Sequence, residues 1–201
     1  MRIDSATSGN RSKRSSKLRR SITSNAKSLR PTTAKVKSAI FSMLGPKGTH
    51  GLRVLDIYAG TGALGIEALQ RGATSVTFIE QNAHQCKNIK KSLEKHRLTT
   101  RGNIRKGKAL NAVCSLKSEF DLVFADPPYE LVEFEKLFKR IDAKDLLSKD
   151  AIAFLEHSKK TDLPDLLPGL KLSKQRLYGD TAISIYRSDS SATTPSFKEG
   201  K

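Results

Sequence analysis

The chain has 201 residues, 37% of them hydrophobic, a mean hydropathy of -0.45 and a formal charge of +17. That is enough for one domain with a full core plus polar extensions. No apolar run approaches the roughly 18 residues of a membrane span, and the basic N-terminus lacks the apolar segment of a secretory signal. Cys86 and Cys114 form no CxxC pair and the four histidines are scattered, so no disulfide framework, metal site or membrane anchor is expected, and a reducing cytoplasmic location is.

Residues 1–28 hold eight Lys or Arg and one Asp, a charge of 8 - 1 = +7, which leaves 17 - 7 = +10 for the remainder. Both parts are basic, and such an excess favours polyanionic partners. The stretch NRSKRSSKLRRS has little to bury and reads as a disordered tail. The organisation expected is therefore a basic tail over 1–28, one folded domain over 29–188, and a polar tail over 189–201.

Taken in chain order, SLRPTTAKVKSAIFSML has Pro31 ahead of the helix-start residues Thr32 and Thr33. Val36, Ile40, Phe41 and Leu44 follow at helical spacing, and Gly45-Pro46 stops the helix. Val54 to Tyr58 reads as a buried strand, Gly60-Thr61-Gly62 as a tight turn, and Ala63 to Arg71 as a helix closed by Gly72. Ser75–Glu80 is a second strand. Asn82 and Gln85 then form a capping box ahead of an apolar stripe of Ala83, Cys86, Ile89 and Leu93. A weak third strand falls near Ile104. ALNAVCSLKS reads as a helix, DLVFA as a fourth strand, LVEFEKLFKRI as an amphipathic helix and AIAFLEH as a fifth strand. Two β-like runs around Gly179-Asp180 make an antiparallel hairpin. The alternation predicts an α/β fold, a Rossmann-like doubly wound, mostly parallel sheet with a C-terminal antiparallel hairpin strand.

Gly60, Gly62 and Gly65 fit G-x-G-x-x-G between a strand and a helix, and Glu80 ends the next strand at the spacing of a nucleotide fingerprint. Glycine lets the backbone turn sharply toward a ligand, the helix N-terminus offers free N–H groups, and a carboxylate at the second strand end can accept from both ribose hydroxyls. Asp56 narrows the choice. It would repel a pyrophosphate but attract an ammonium, which points to S-adenosylmethionine; the alternative for Asp56 is a bond to loop amides. The cofactor-binding residues expected around this turn are Asp56, Tyr58, Gly60, Thr61, Gly62 and Glu80.

DLVFADPPYE ends a buried strand in a carboxylate, two prolines and a tyrosine. An exocyclic amino group on a base is planar and a poor nucleophile, because its lone pair is delocalised. The Asp126 carboxylate and the Pro127 carbonyl can accept both of its hydrogens and draw the nitrogen toward tetrahedral geometry. Pro127-Pro128 stiffens that pair, and Tyr129 offers a face on which an unstacked base can lie. The catalytic set expected is Asp126, Pro127, Pro128 and Tyr129.

With both motifs, the chain resembles class I S-adenosylmethionine-dependent amino methyltransferases, and more narrowly the bacterial RsmD family, which methylates the N2 amino group of a guanine in 16S rRNA. LRPTTAKVKSAIFSML, VLDIYAGTGALGIEALQRGA, DLVFADPPYE and YGDTAISIYR carry the resemblance, which runs from about Leu29 to Arg187. It implies that Asp56, Gly60 and Gly62 line the methionine part, that Glu80 binds the ribose, and that Asp126 to Tyr129 hold the guanine amino group. It also places Arg30, Pro31 and Thr32 over the cofactor or substrate edge. The implied partner is ribosomal RNA or a small-subunit assembly particle, met by a monomer. Two departures stand out. The N-terminus is Ser-rich where the family usually carries a glycine- and arginine-containing hairpin, and Lys108 stands where many relatives carry Asn or Asp for the adenine, which leaves backbone and Ala109 to complete the expected cofactor-binding set beside Lys108. Competing readings are adenine N6 or protein glutamine as target, a non-catalytic RNA-binding or assembly protein, and a nicotinamide oxidoreductase that would leave the Asp-Pro-Pro-Tyr segment idle.

Overall fold

The computed structural model describes residues 34–127 and 131–189. In chain order the elements are α1 (Ala34–Met43), β1 (Arg53–Ile57), α2 (Ala63–Gln70), β2 (Ser75–Glu80), α3 (Ala83–Lys95), β3 (Gly102–Lys106), α4 (Ala109–Ala112), β4 (Phe120–Ala125), α5 (Leu131–Asp142), β5 (Leu147–Ser158), β6 (Leu166–Leu167), β7 (Leu170–Tyr178) and β8 (Thr181–Ser188). They build one eight-stranded sheet in the order β3-β2-β1-β4-β5-β8-β7-β6. β1 to β5 pair in parallel, and β8 enters antiparallel between β5 and β7. The expected doubly wound sheet with its antiparallel C-terminal strands is therefore present, and chain order reverses across β1 and β4.

Both faces of the inner strands are covered, so these strands are apolar almost throughout. On one face Leu55, Ile57, Val123 and Ala125 pack with Leu137 and Phe138 of α5. On the other, Val54, Phe78 and Phe124 pack with Val36 and Phe41 of α1 and Ile89 of α3. Phe124 is fully buried between Phe41 and Phe154, with ring centroids 6.0 and 6.1 Å away. Burying each such ring contributes about 1.5–3 kcal/mol. At the sheet edge, β3 is short and exposes Asn103, Arg105 and Lys106.

Several expected elements differ in detail. Ala83 is exposed, and the buried stripe of α3 is Gln85, Ile89 and Leu93. The capping box is half formed. Asn82 accepts from the His84 and Gln85 amides at 2.8 and 3.3 Å, while its own amide donates to Glu80 rather than to Gln85. The helix read in ALNAVCSLKS is one α-turn, Ala109–Ala112, that tightens to a 3-10 turn over Val113–Ser115, which lets both Val113 and Leu116 bury. β5 starts four residues earlier than its apolar run, because a register irregularity sets Lys149 and Asp150 outside the ladder. The two-residue β6 carries no sequence signal.

Helix ends follow backbone chemistry closely. After α2, Gly72 takes φ 94°, and the Ala73 and Gly72 amides return to Ala68 and Leu69 carbonyls at 3.0 and 3.1 Å. This is the expected glycine closure. α3 ends on the same bonds, Leu98 to Leu93 at 2.8 Å and Arg97 to Glu94 at 3.1 Å, but the left-handed position is the exposed Arg97 at φ 57°. A side chain there costs about 1 kcal/mol that glycine avoids. Arg97→Gly is accordingly expected to stabilise the fold by up to about 1 kcal/mol, read as a higher denaturant midpoint; an unchanged or lower midpoint would show that Arg97 bears no strain.

Candidate active site

The parallel pairing of Ile57 with Ala125 brings the carboxyl ends of β1 and β4 side by side. Ligands of open α/β sheets bind in the crevice where chain order reverses, and the two motifs read from the sequence flank that crevice. The glycine turn leaves β1, and Asp126 leaves β4 on the neighbouring strand. No intervening strand separates them.

The turn is built by hydrogen bonds that replace strand pairing. Ala59 donates to the Ile79 carbonyl at 3.0 Å, and Gly62 closes onto the Ala59 carbonyl at 2.7 Å. Gly60 and Gly62 take φ 54° and 74°, a conformation that favours glycine. Tyr58 adopts φ 60° at the end of β1 although it is not glycine, so the backbone is strained where strand becomes loop. Gly65 serves a different need. A Cβ there would lie 2.3 Å from the buried Phe78 ring, so its absence lets α2 press against β2.

Two carboxylates grip this turn. Asp56, 3% exposed, accepts from the Gly65 amide at 2.9 Å, the loop-amide bond weighed as its alternative role. Burial pushes its pKa up to about 8. The Gly65 N–H opposes that rise, while Glu80 and Asp126 add to it. Glu80 accepts from Gly60 through Oε2 at 2.8 Å and from Asn82 through Oε1 at 2.7 Å. The spacing argument expects a ribose ligand in Glu80 and misses this bridge; an acid two residues before Asn82 is the available signal.

Asp126 stands at the mouth of the crevice, open to solvent on one side, and Pro127 behind it is buried. Burial on the inner side raises the Asp126 pKa to about 6. Lys108 occupies the N-cap position of α4, its exposed side chain making no cap bond, and Ala109 after it is buried. The Gly107 amide ties this loop to the Glu80 carbonyl at 3.0 Å. Asp56, Tyr58, Gly60, Thr61, Gly62, Glu80, Lys108, Ala109, Asp126 and Pro127 therefore all lie on the loops or strand ends of one sheet edge. Pro128 and Tyr129, and Arg30, Pro31 and Thr32, lie outside the described residues. Separately, a groove of about 410 Å³ runs from Thr61 along α2 between Lys37 and His96. Among the described residues no helix is long and apolar enough to cross a membrane. None of their His, Cys, Asp and Glu side chains group in threes that could hold a metal ion.

Comparison with known proteins agrees with this geometry. A family model described as Conserved hypothetical protein 95 matches residues 11–187, and so extends into the basic N-terminal segment. YlbH of Bacillus subtilis is 35% identical over 163 residues, 80% of this chain and 88% of the relative. The Escherichia coli protein named Ribosomal RNA small subunit methyltransferase D is 29% identical over 161 residues, 79% of either chain. A solved structure of a conserved hypothetical protein from Streptococcus pyogenes, 35% identical, superposes with a TM-score of 0.69 over 77% of this chain and 96% of that one. The chain belongs to the Conserved hypothetical protein 95 family, which is the RsmD family.

Proposed function

We propose that this protein transfers a methyl group from S-adenosylmethionine to the exocyclic N2 amino group of a guanine in 16S rRNA. The observation that carries the reading is the adjacency, across one strand pair, of the glycine turn after β1 and the carboxylate after β4. The name of the Escherichia coli relative supports the same chemistry.

The donor set fits a cationic nucleoside better than a dinucleotide. Three carboxylates, Asp56, Glu80 and Asp126, lie close enough that the latter two raise the Asp56 pKa. They would repel a pyrophosphate and attract an ammonium and a sulfonium. In this reading Asp56 receives the ammonium, and the Gly60, Thr61 and Gly62 backbone lies against the methionine part beside Tyr58. Glu80 has one lone pair left on each oxygen for ribose hydroxyls. Lys108 cannot accept from an adenine amino group, so adenine recognition falls to backbone and to Ala109. The bound cofactor supplies a methyl carbon made electrophilic by its sulfonium.

The chain's own work is on the acceptor. The Asp126 carboxylate and Pro127 carbonyl hold the two amino hydrogens, with Pro128 stiffening the pair and Tyr129 stacking the base. Arg30, Pro31 and Thr32 border the substrate. After transfer the nitrogen is acidic, and its proton leaves to Asp126 or to water. Residues 29–188 would suffice for this chemistry, with the basic tail adding affinity for RNA.

The direct test is to map the labelled methyl group on naked rRNA, small-subunit particles, DNA and protein. Label on guanine N2 of 16S rRNA is expected, and label on adenine N6 would reject the guanine assignment. Asp126→Ala is expected to lose roughly 100-fold or more in turnover while keeping cofactor affinity. Because the acceptor form is the carboxylate, the wild-type rate at saturating cofactor should climb with pH through about 6 and then level. Asp126→Asn, which cannot ionise, should give a flat profile; a wild-type profile retained in that variant would remove Asp126 from the platform.

Asp56 makes a second pH prediction. Its folded pKa, about 8, lies above the unfolded carboxyl value. The unfolded chain therefore releases this proton first, and the unliganded fold loses stability as pH rises from about 4 toward 8. An ammonium ligand needs the ionised form, so cofactor affinity should increase with pH up to about 8 and plateau beyond it. Asp56→Asn keeps the acceptor for Gly65. It should melt at a higher temperature than wild type near pH 8 and bind cofactor roughly 10- to 100-fold more weakly without that pH dependence. Unaltered calorimetric affinity in the variant would separate Asp56 from the ligand.

A further inference from the structure

We infer that the face of β7 left uncovered by the described residues is a docking surface for single-stranded RNA flanking the target nucleotide. The inference rests on the RNA methyltransfer proposed above, and its test is read from binding so that the two can fail separately.

The pairing registers define rows across the sheet. Phe124 aligns with Phe154, Ile185 and Lys174, and Leu122 aligns with Ile152, Arg187 and Lys171. One step nearer the crevice, Glu156 aligns with Ile183 and Arg176, Asp126 follows Ala125, the partner of Leu155, and Tyr178 lies beside Thr181. On this face α1 packs over the inner positions, with Val36, Ile40 and Phe41 in one core with Phe124, Phe154, Ile183 and Ile185. The β7 positions extend beyond it. Lys171, Lys174, Arg176 and Arg187 are exposed, Tyr178 is half-buried against the core edge, and none of the four cations is in a salt bridge with a described residue.

A bulge between Leu172 and Lys174 makes this alignment possible. Plain alternation would set Lys171 and Lys174 on opposite faces; the extra residue, Ser173, brings them to the same one. The other face anchors the strand, since Gln175 donates to the buried Ser184 hydroxyl at 3.0 Å, which in turn bonds His157 Nε2 at 2.8 Å. At the hairpin turn, Lys159 holds the Asp180 carboxylate at 2.7 Å.

The surface has the polarity a nucleotide strand requires. Arg176 lies in the row of Glu156, two strand spacings away, roughly 10 Å at about 4.8 Å each. Acids, Glu156 and the strand-ending Asp126, occupy the β4 and β5 side and cations the β7 side. An RNA strand would place its target base toward Asp126 and its phosphates over Lys174 and Arg176, with a neighbouring base on Tyr178. Basic positions with an aromatic among them are the means by which sheets hold single strands.

The test measures binding of the full-length protein to a short guanine-containing single-stranded RNA across a salt series. K174A/R176A is expected to weaken affinity about tenfold at 0.1 M salt and to lower the slope against log salt by about 1.4, at ~0.7 per phosphate. Tyr178→Leu should weaken binding roughly tenfold with the slope retained, and Tyr178→Phe should bind as wild type. Cofactor affinity by calorimetry is expected to be unchanged in every variant, which controls for folding. Unchanged affinity and slope in K174A/R176A, or no RNA binding by the wild type, overturns the inference. So does equal loss of heparin and RNA binding in K174A/R176A with no effect of Tyr178→Leu, which would mean attraction to any polyanion. If these shifts occur and no RNA is methylated, the docking surface stands and the proposed function falls.

Discussion

The Glu80 carboxylate is the tie on which the rest of the site depends. One oxygen fixes Gly60 in the loop after β1, the other fixes Asn82 ahead of α3, and the main-chain carbonyl of the same residue takes the Gly107 amide after β3. Three loops from three adjacent strands thus converge on one side chain and its backbone. Hydrogen bonds to a charged acceptor contribute about 1.5–3 kcal/mol each, so the loop geometry is set before any ligand arrives. A turn with two left-handed glycines would otherwise sample many conformations.

The electrostatic plan is one of contrast. The molecule carries +17 overall, yet its crevice gathers Asp56, Glu80 and Asp126. Long-range attraction acts on a polyanion, and short-range attraction at the strand ends acts on a cation. Burial raises the Asp56 and Asp126 pKa values toward neutrality, and at Asp56 the neighbouring Glu80 and Asp126 add to the rise, which leaves both groups responsive to what binds beside them. The strain at Tyr58 belongs to the same region, where the turn must leave β1 abruptly.

Much of this was legible in the sequence, for reasons that can be named. The glycine turn and the Asp126-Pro127 junction were visible because their chemistry is local. Glycine spacing, a proline pair and a strand-ending acid report backbone geometry directly. The order of strands and helices followed from apolar runs buried on both faces. What stayed hidden was set by partners distant in the chain. The Glu80 bridge depends on where Gly60 falls after folding. The early start of β5 is masked by Lys149 and Asp150 in an irregular ladder. The common face of Lys171 and Lys174 arises only through the bulge, which alternation cannot foresee. Ala83 looked like a stripe residue because helical spacing alone does not tell which side of α3 meets the sheet.

Among the described residues the margin of the sheet at β3 is unpaired, which bears on self-association. Its backbone could template another strand, and Asn103, Arg105 and Lys106 project from it. Like charges on two such margins repel one another, which discourages edge-to-edge fibrils. That protection is a matter of ionic strength, because the Debye length shrinks from about 10 Å at 0.1 M salt to about 3 Å at 1 M. High salt, the usual means of stripping nucleic acid from a basic protein, also screens the repulsion between two such margins.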